Sequence, residues 1–308
     1  MDDVSLRERI RALVFAAPAL SEALASGSFR SVFKGRGMDF EALREYEATD
    51  DALRMDWNAT ARFGRPFVKT YKDDRDLTLY LIVDESRSMD FGAGRAKRET
   101  AALAASLLAY ACSLNGIRVG ALFFGGAAAM DGRAPASGPG AARALMERLA
   151  AGPASAAGPA SAAGPASAAG PASAGSDLGA AMTAASSILK RRSLVLVVSD
   201  FLCSGYALPL ALLARRNDVA ALRVHDRLDA APPSLGFSLR SADAESGARR
   251  LVTPRSAAYR RERERWAKAA RLEWLVALSA AKVPYLEMDS STDPVEALIA
   301  FFGRRRSA

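Results

Sequence analysis

The chain has 308 residues, half of them hydrophobic, with 42 Lys and Arg against 34 Asp and Glu. That length builds one large α/β domain or two modest ones. No apolar run reaches the ~18–20 residues of a membrane span, and the single histidine, His225, rules out multi-histidine zinc sites and two-histidine iron sites.

Other classes are disfavoured by pattern. The net charge of +8 comes from basic residues interleaved with acids, which argues against a nucleic-acid partner. Two local concentrations exist, Arg260 to Arg271 and the tail Arg304-Arg305-Arg306, and Glu262 and Glu264 make the first read as a solvated helix face. Cys112 and Cys203 lack metal-ligand spacing and suit a reducing compartment. The acidic start, Met1-Asp2-Asp3, is unlike a secretion signal. A cytoplasmic location is the expectation.

In chain order, residues 1–26 read as one or two helices ending at Ser26-Gly27-Ser28. Residues 27–76 are dense in charge and aromatics and lack long apolar runs, so they cannot build a core of their own. They are expected to lie across the main domain with Phe40, Tyr46, Trp57 and Phe67 as apolar anchors. Residues 1–76 therefore form one unit and 77–308 the main domain.

From Leu77 onward strands and helices alternate. Strands are expected at Leu77–Val83, Ile117–Phe124, Ser193–Ser199, Val219–Val224 and Val283–Met288. Helices are expected at Ala96–Leu114, 140–150, Asp177–Lys190, Ala207–Arg216, about Ser256–Ala281, and from Asp293, where Asp293-Pro294 resembles a cap followed by a first-turn proline. His225 reads as a polar residue at a strand end. The repeated units imply an α/β fold, a mainly parallel sheet with helices on both faces. Residues 150–173 hold four copies of Ala-Ala-Gly-Pro-Ala-Ser, a low-complexity surface insertion with almost nothing to bury.

Two buried strands end in carboxylates. Leu81-Ile82-Val83 runs into Asp84-x-Ser86-x-Ser88, and Leu194–Val198 into Ser199-Asp200. In open α/β sheets ligands bind at the carboxyl ends of strands. Asp and Ser there also serve as turn and cap residues, and Ser176 reads equally as the cap of the helix it precedes. Read together, Asp84, Ser86, Ser88, Ser176 and Asp200 make an oxygen cage from three loops, suited to Mg²⁺ or Mn²⁺.

That set resembles the metal-ion-dependent adhesion site of von Willebrand factor A domains, with Ser176 where a Thr is usual. Upstream, Gly35-Arg36-Gly37-x-x-Phe40, Arg44-Glu45-Tyr46, Asp50-Asp51-x-x-Arg54-x-Asp56-Trp57, Ala61-Arg62 and Val68-Lys69 resemble the signature of the bacterial domain of unknown function 58. The resemblance implies a von Willebrand factor A-like, Rossmann-type fold preceded by an irregular segment. It also implies a non-enzymatic adaptor that works with a MoxR-type AAA+ ATPase in assembly or maturation of protein complexes; many relatives carry transmembrane helices, and the lack of such a run here makes a soluble member the expectation. By the same analogy Ser86 and Ser88 ligate the ion directly, Ser176 directly or through water, and Asp84 and Asp200 through water. The ion is then bound weakly until a client protein adds a carboxylate. Arg54, Asp56 and Trp57 are candidates for partner binding, or alternatively form an intramolecular clasp. A Mg²⁺-dependent hydrolase using Asp84 or Asp200 is the competing reading. Against it, the sequence has no phosphate-binding Gly-x-x-x-x-Gly-Lys-Ser/Thr loop, no nucleophile elbow and no second acidic cluster.

Overall fold

The computed structural model describes residues 40–46, 55–71, 77–125, 130–153, 177–230, 239–242, 249–252 and 256–303. The helices expected before residue 27 lie outside them, as do Arg54, Ser176 and most of the repeat.

Within the segment expected to be irregular, a small unit forms. Strand β1 (Phe40–Glu45) precedes helix α1 (Trp57–Phe63) and pairs antiparallel with β2 (Phe67–Tyr71). Asp56 caps α1, its carboxylate accepting from the amides of Asn58 at 3.0 Å and Ala59 at 3.2 Å. Arg65 pairs with Glu45 at 2.9 Å beside the hairpin. The anchoring expectation fails at Trp57, which is 70% exposed. It occupies the first position of α1, directly after the capping aspartate, and the buried residue of that short helix is Ala59. Phe67 and Tyr46 are half-buried.

The main domain begins with β3 (Thr78–Asp84), a short 3-10 turn (Arg87–Asp90) and α2 (Lys97–Leu114). It continues with β4 (Arg118–Phe124), β5 (Asp131–Ala136), α3 (Pro139–Ala151), α4 (Leu178–Ile188), β6 (Leu194–Ser199) and α5 (Ala207–Arg216). Then come β7 (Asp218–His225), the single turn α6 (Arg227–Ala230), the hairpin β8 (Leu239–Ala242) and β9 (Arg249–Val252), α7 (Ala257–Ala281), β10 (Tyr285–Asp289) and α8 (Pro294–Gly303). Asp293 caps α8, accepting from the Val295 amide at 2.9 Å.

The main sheet has the order β10-β7-β6-β3-β4-β5, parallel except for β5. The pleat sends alternate residues of each strand to opposite layers. Leu79, Leu81, Val83, Phe123, Leu196 and Leu222 pack under α2, α3 and α8. Tyr80, Ile82, Leu122, Val195, Val197 and Ala221 pack under α4, α5 and the second half of α7. Each Leu, Ile, Val and Phe among them contributes about 1.5–3 kcal/mol on burial. With both faces covered, every residue of β3 is buried, which is why its centre, Leu79–Val83, reads as an unbroken apolar run.

Strand β5 was not expected. Its sequence, Asp131-Gly-Arg-Ala-Pro-Ala, has no large apolar side chain and is mostly exposed, as an edge strand permits. It packs tightly against β4 at Gly120, where an added Cβ would stand 2.8 Å from the Arg133 carbonyl oxygen and 2.9 Å from the Pro135 nitrogen. Gly120→Ala is therefore expected to destabilise the fold by about 1–3 kcal/mol, read as a lower urea midpoint. An unchanged midpoint would mean that the β5 edge yields freely.

Candidate metal centre

The sheet order reverses between β3 and β6: from β3 the chain crosses to β4 on one side, and β6 returns on the other. Crevices at such points are where α/β sheets bind ligands. Val83 is level with Val198, so Asp84 ends β3 beside Ser199 and Asp200 follows one residue on.

Asp84 is almost completely buried. Its Oδ1 accepts from the Ser86 amide at 2.9 Å, and its Oδ2 accepts from Ser199 Oγ at 2.6 Å. Ser199 Oγ in turn accepts from the Phe201 amide at 2.9 Å. The Ser86 amide bond bends the chain back at once, and buried Met89 pins the 3-10 turn that follows, its amide donating to the Ser86 carbonyl at 3.0 Å. Within that bend the Ser86 and Ser88 hydroxyls converge to 3.0 Å. The end of β4 closes against the loop at Gly125, which has φ +83°; a Cβ there would meet the Ser86 amide nitrogen at 2.9 Å and Asp84 Oδ1 at 3.1 Å. Glycine is the residue that fits both the conformation and the space.

Asp200 is also buried. Its Oδ1 accepts from the Leu202 amide at 3.1 Å and its Oδ2 from Lys97 Nζ at 2.8 Å. Lys97, the first residue of α2, also reaches Asp229 of α6 at 3.2 Å. Burial, reinforced by the charge of Asp200, pushes the Asp84 carboxyl up to about 7, despite the hydrogen bonds from Ser199 and Ser86. Burial works against the charge on Lys97, but the carboxylates of Asp200 and Asp229 outweigh it and hold the ammonium above its usual value.

A second brace holds the loop from the far side. Arg148 of α3 grips Glu85 with two bonds, 2.8 and 2.9 Å, and reaches Asp131 at 2.9 Å. Its guanidinium also lies 4.1 Å from the centroid of the Phe123 ring.

Of the expected cage, Asp84, Ser86, Ser88 and Asp200 come together at one crevice. Ser176 lies outside the described residues, and the cap of α4 is Asp177, whose carboxylate accepts from the Ala180 amide at 2.7 Å. Asp56 and Trp57 belong to the hairpin unit rather than to this sheet edge. His225 ends β7 half-exposed, 3.8 Å from Asp289. Lys97, Ser199, Glu85 and Arg148 were not singled out from the sequence. The bonds from Lys97 to Asp200, from Arg148 to Glu85 and from Ser199 to Asp84 span 103, 63 and 115 residues, beyond the reach of any local pattern.

The donor set fits a hard divalent cation: uncharged hydroxyl oxygens flanked by carboxylates, with neither imidazole nor thiolate. Among the described residues no group of three or more His, Cys, Asp or Glu side chains could hold a metal by itself, so such a site depends on the hydroxyls of Ser86 and Ser88.

Comparison with known proteins agrees with the signature noted in the sequence. The uncharacterized protein Rv1480 of Mycobacterium tuberculosis is 30% identical over 311 aligned residues, covering 99% of this chain and 92% of that protein. The uncharacterized protein Mb1516 of Mycobacterium bovis matches with the same identity and coverage. A solved structure described as the conserved hypothetical protein BatB from Bacteroides thetaiotaomicron is 17% identical with a TM-score of 0.44, covering 75% of this chain and all of that one. The model of the family described as protein of unknown function DUF58 matches residues 42–273, and the chain belongs to that family.

Proposed function

We propose that this protein is a non-enzymatic, metal-dependent adaptor. Asp84, Ser86, Ser88, Ser176 and Asp200 hold Mg²⁺ or Mn²⁺ and so dock a carboxylate of a client protein. The observation that carries this reading is the convergence of the Ser86 and Ser88 hydroxyls to 3.0 Å beside two buried carboxylates at the reversal of the sheet.

Ser86 and Ser88 are the direct ligands, and Asp84 and Asp200 orient the shell from behind. A bound divalent ion supplies an electrophilic position that an Asp or Glu of the client completes. Hydroxyl ligands leave the charge of the ion largely uncompensated, which favours that incoming carboxylate. Ser199 donates to Asp84 and accepts from the Phe201 amide. It is a strut between strands, which supports binding over hydrolysis. The finer parts of the proposal rest on the motif resemblance: a MoxR-type AAA+ ATPase as working partner, and a role in assembly or maturation of complexes. A cytoplasmic setting is supported by the free thiols Cys112 and Cys203. No helix among the described residues is long and apolar enough to cross a membrane.

The test is retention of partners from a lysate by the purified chain, in Mg²⁺ and in EDTA, beside Asp84→Ala. An AAA+ ATPase or client held only with Mg²⁺ and only by the intact site is the expected result. Equal retention under all conditions would remove the oxygen cluster from the docking role.

The raised Asp84 carboxyl makes metal binding pH-dependent. A proton on Asp84 competes with the ion, so Mn²⁺ affinity is expected to be roughly tenfold weaker at pH 6 than at pH 8. For the metal-free protein the sign is opposite. The folded-state value, about 7, lies above the ordinary 3.8. The stability contributed by this group is therefore complete at low pH and is lost as pH rises through about 7. Melting curves across that range, with and without Mn²⁺, check both statements: the gain from Mn²⁺ should be larger at pH 8. An equal gain at both pH values would mean that Asp84 does not titrate there.

A further inference from the structure

Lys97 occupies a costly place. It is 1% exposed, among the most buried large side chains described. It is also the first residue of α2, where the positive end of the helix dipole disfavours a cation. Its four-carbon stem carries the ammonium under the loop to Asp200 Oδ2 at 2.8 Å and to Asp229 at 3.2 and 3.3 Å. An aliphatic side chain would fill that volume without either cost, so the charge itself has a use.

The surroundings indicate which use. Asp84 and Asp200 are buried carboxylates at the ends of adjacent strands, and the charge of Asp200 raises the cost of charging Asp84. Asp84 takes its hydrogen bonds from neutral donors, Ser86 and Ser199. Asp200 takes one from a neutral amide and one from an ammonium. The positive charge is thus placed on the carboxylate that follows β6, while among the described residues the hydrogen bonds to Asp84 come from the neutral donors alone. Asp229, which shares the ammonium, is itself fixed: its Oδ2 accepts from the Asp226 amide at 2.9 Å, and its carbonyl oxygen from Arg263 at 2.6 Å. Lys97 is therefore held in place from both sides.

We propose that Lys97 is the resident cation of this crevice: it compensates Asp200 when no metal is bound, and by its charge lowers the affinity of the site for a divalent ion. The inference rests on the metal-site reading above and supplies the physical reason why the site would hold an ion firmly only when a client carboxylate joins it. An ammonium one hydrogen bond from a carboxylate of the cage repels an incoming divalent ion. A charge at this range changes a neighbouring ionic equilibrium by about one to three powers of ten.

The test is Mn²⁺ binding at pH 8, measured by calorimetry and by the paramagnetic resonance of the free ion, on the full chain. Lys97→Met keeps the volume and removes the charge; it is expected to bind Mn²⁺ at least about tenfold more tightly than the wild type. Its metal-free form should melt lower and regain more on addition of Mn²⁺. Asp229→Asn keeps the ammonium and removes a carboxylate, and should bind Mn²⁺ several-fold more weakly. A folded Lys97→Met that binds Mn²⁺ no more tightly overturns the proposal. If Lys97→Met does not fold, unweakened binding by Asp229→Asn overturns it instead. The underlying site is judged separately with Asp84→Ala. If the wild type binds Mn²⁺ and Asp84→Ala binds it equally well, or if no variant binds at all, the metal-site reading falls and this inference with it. If the wild type loses its binding with Asp84→Ala but Lys97→Met gains nothing, the site stands and the resident-cation role does not. Binding by Lys97→Met alone, with the wild type below detection, supports the proposal.

Discussion

The hydrogen bond from Ser199 Oγ to Asp84 Oδ2, 2.6 Å long, joins the ends of the two central strands at a depth that water does not reach. A carboxylate is costly there unless it is fully bonded. The rest of the crevice can be understood as the means of meeting that demand. The Ser86 amide folds back onto the other oxygen of Asp84, and this bend brings the Ser86 and Ser88 hydroxyls together. Gly125 lets β4 approach closely enough to hold the bend. The arrangement that satisfies a buried charge is also the one that gathers hard oxygen donors at the reversal of the sheet.

Charge is then balanced in two separate pairs of braces. Lys97 ties α2 to Asp200 and to Asp229, while Arg148 ties α3 to Glu85 and Asp131. Both cations are largely buried, and removing one partner of such a pair costs about 3–5 kcal/mol because the other charge is stranded. They differ in where they act. Arg148 grips the residue next to Asp84 from outside the oxygen cluster, which makes it a support for the loop. Lys97 touches a carboxylate of the cluster itself, so its charge enters any ionic equilibrium there.

Much of this was legible in the sequence. A strand buried on both faces is mostly apolar, so β3 and β6 stand out as apolar runs and β7 as one broken by the buried Arg223, and the helices between them follow from 3.6-residue spacing and their caps. The oxygen cluster was legible too, because Asp84, Ser86 and Ser88 are local and Asp200 occupies the same place on a recognisable strand. Strand β5 was not. At the sheet edge it needs no apolar face, so its six residues carry no period. Trp57 was misjudged because size and apolarity suggested burial, whereas its position is set by the Asp56 cap and leaves it in solvent. The partners of Lys97 and Arg148 were invisible for a different reason. An ion pair that spans the fold leaves no mark on the neighbours of either residue, and a Lys within a charged stretch such as Arg95-Ala-Lys-Arg-Glu99 reads as solvated.

The central claim is that a divalent ion sits among Asp84, Ser86, Ser88 and Asp200. Anomalous diffraction from crystals of the protein grown with Mn²⁺ tests it most directly. The account predicts a peak within coordination distance of the Ser86 and Ser88 hydroxyl oxygens, absent in crystals of Ser86→Ala. A well-ordered crevice with no peak at high Mn²⁺, or a peak bound only elsewhere on the molecule, would contradict it.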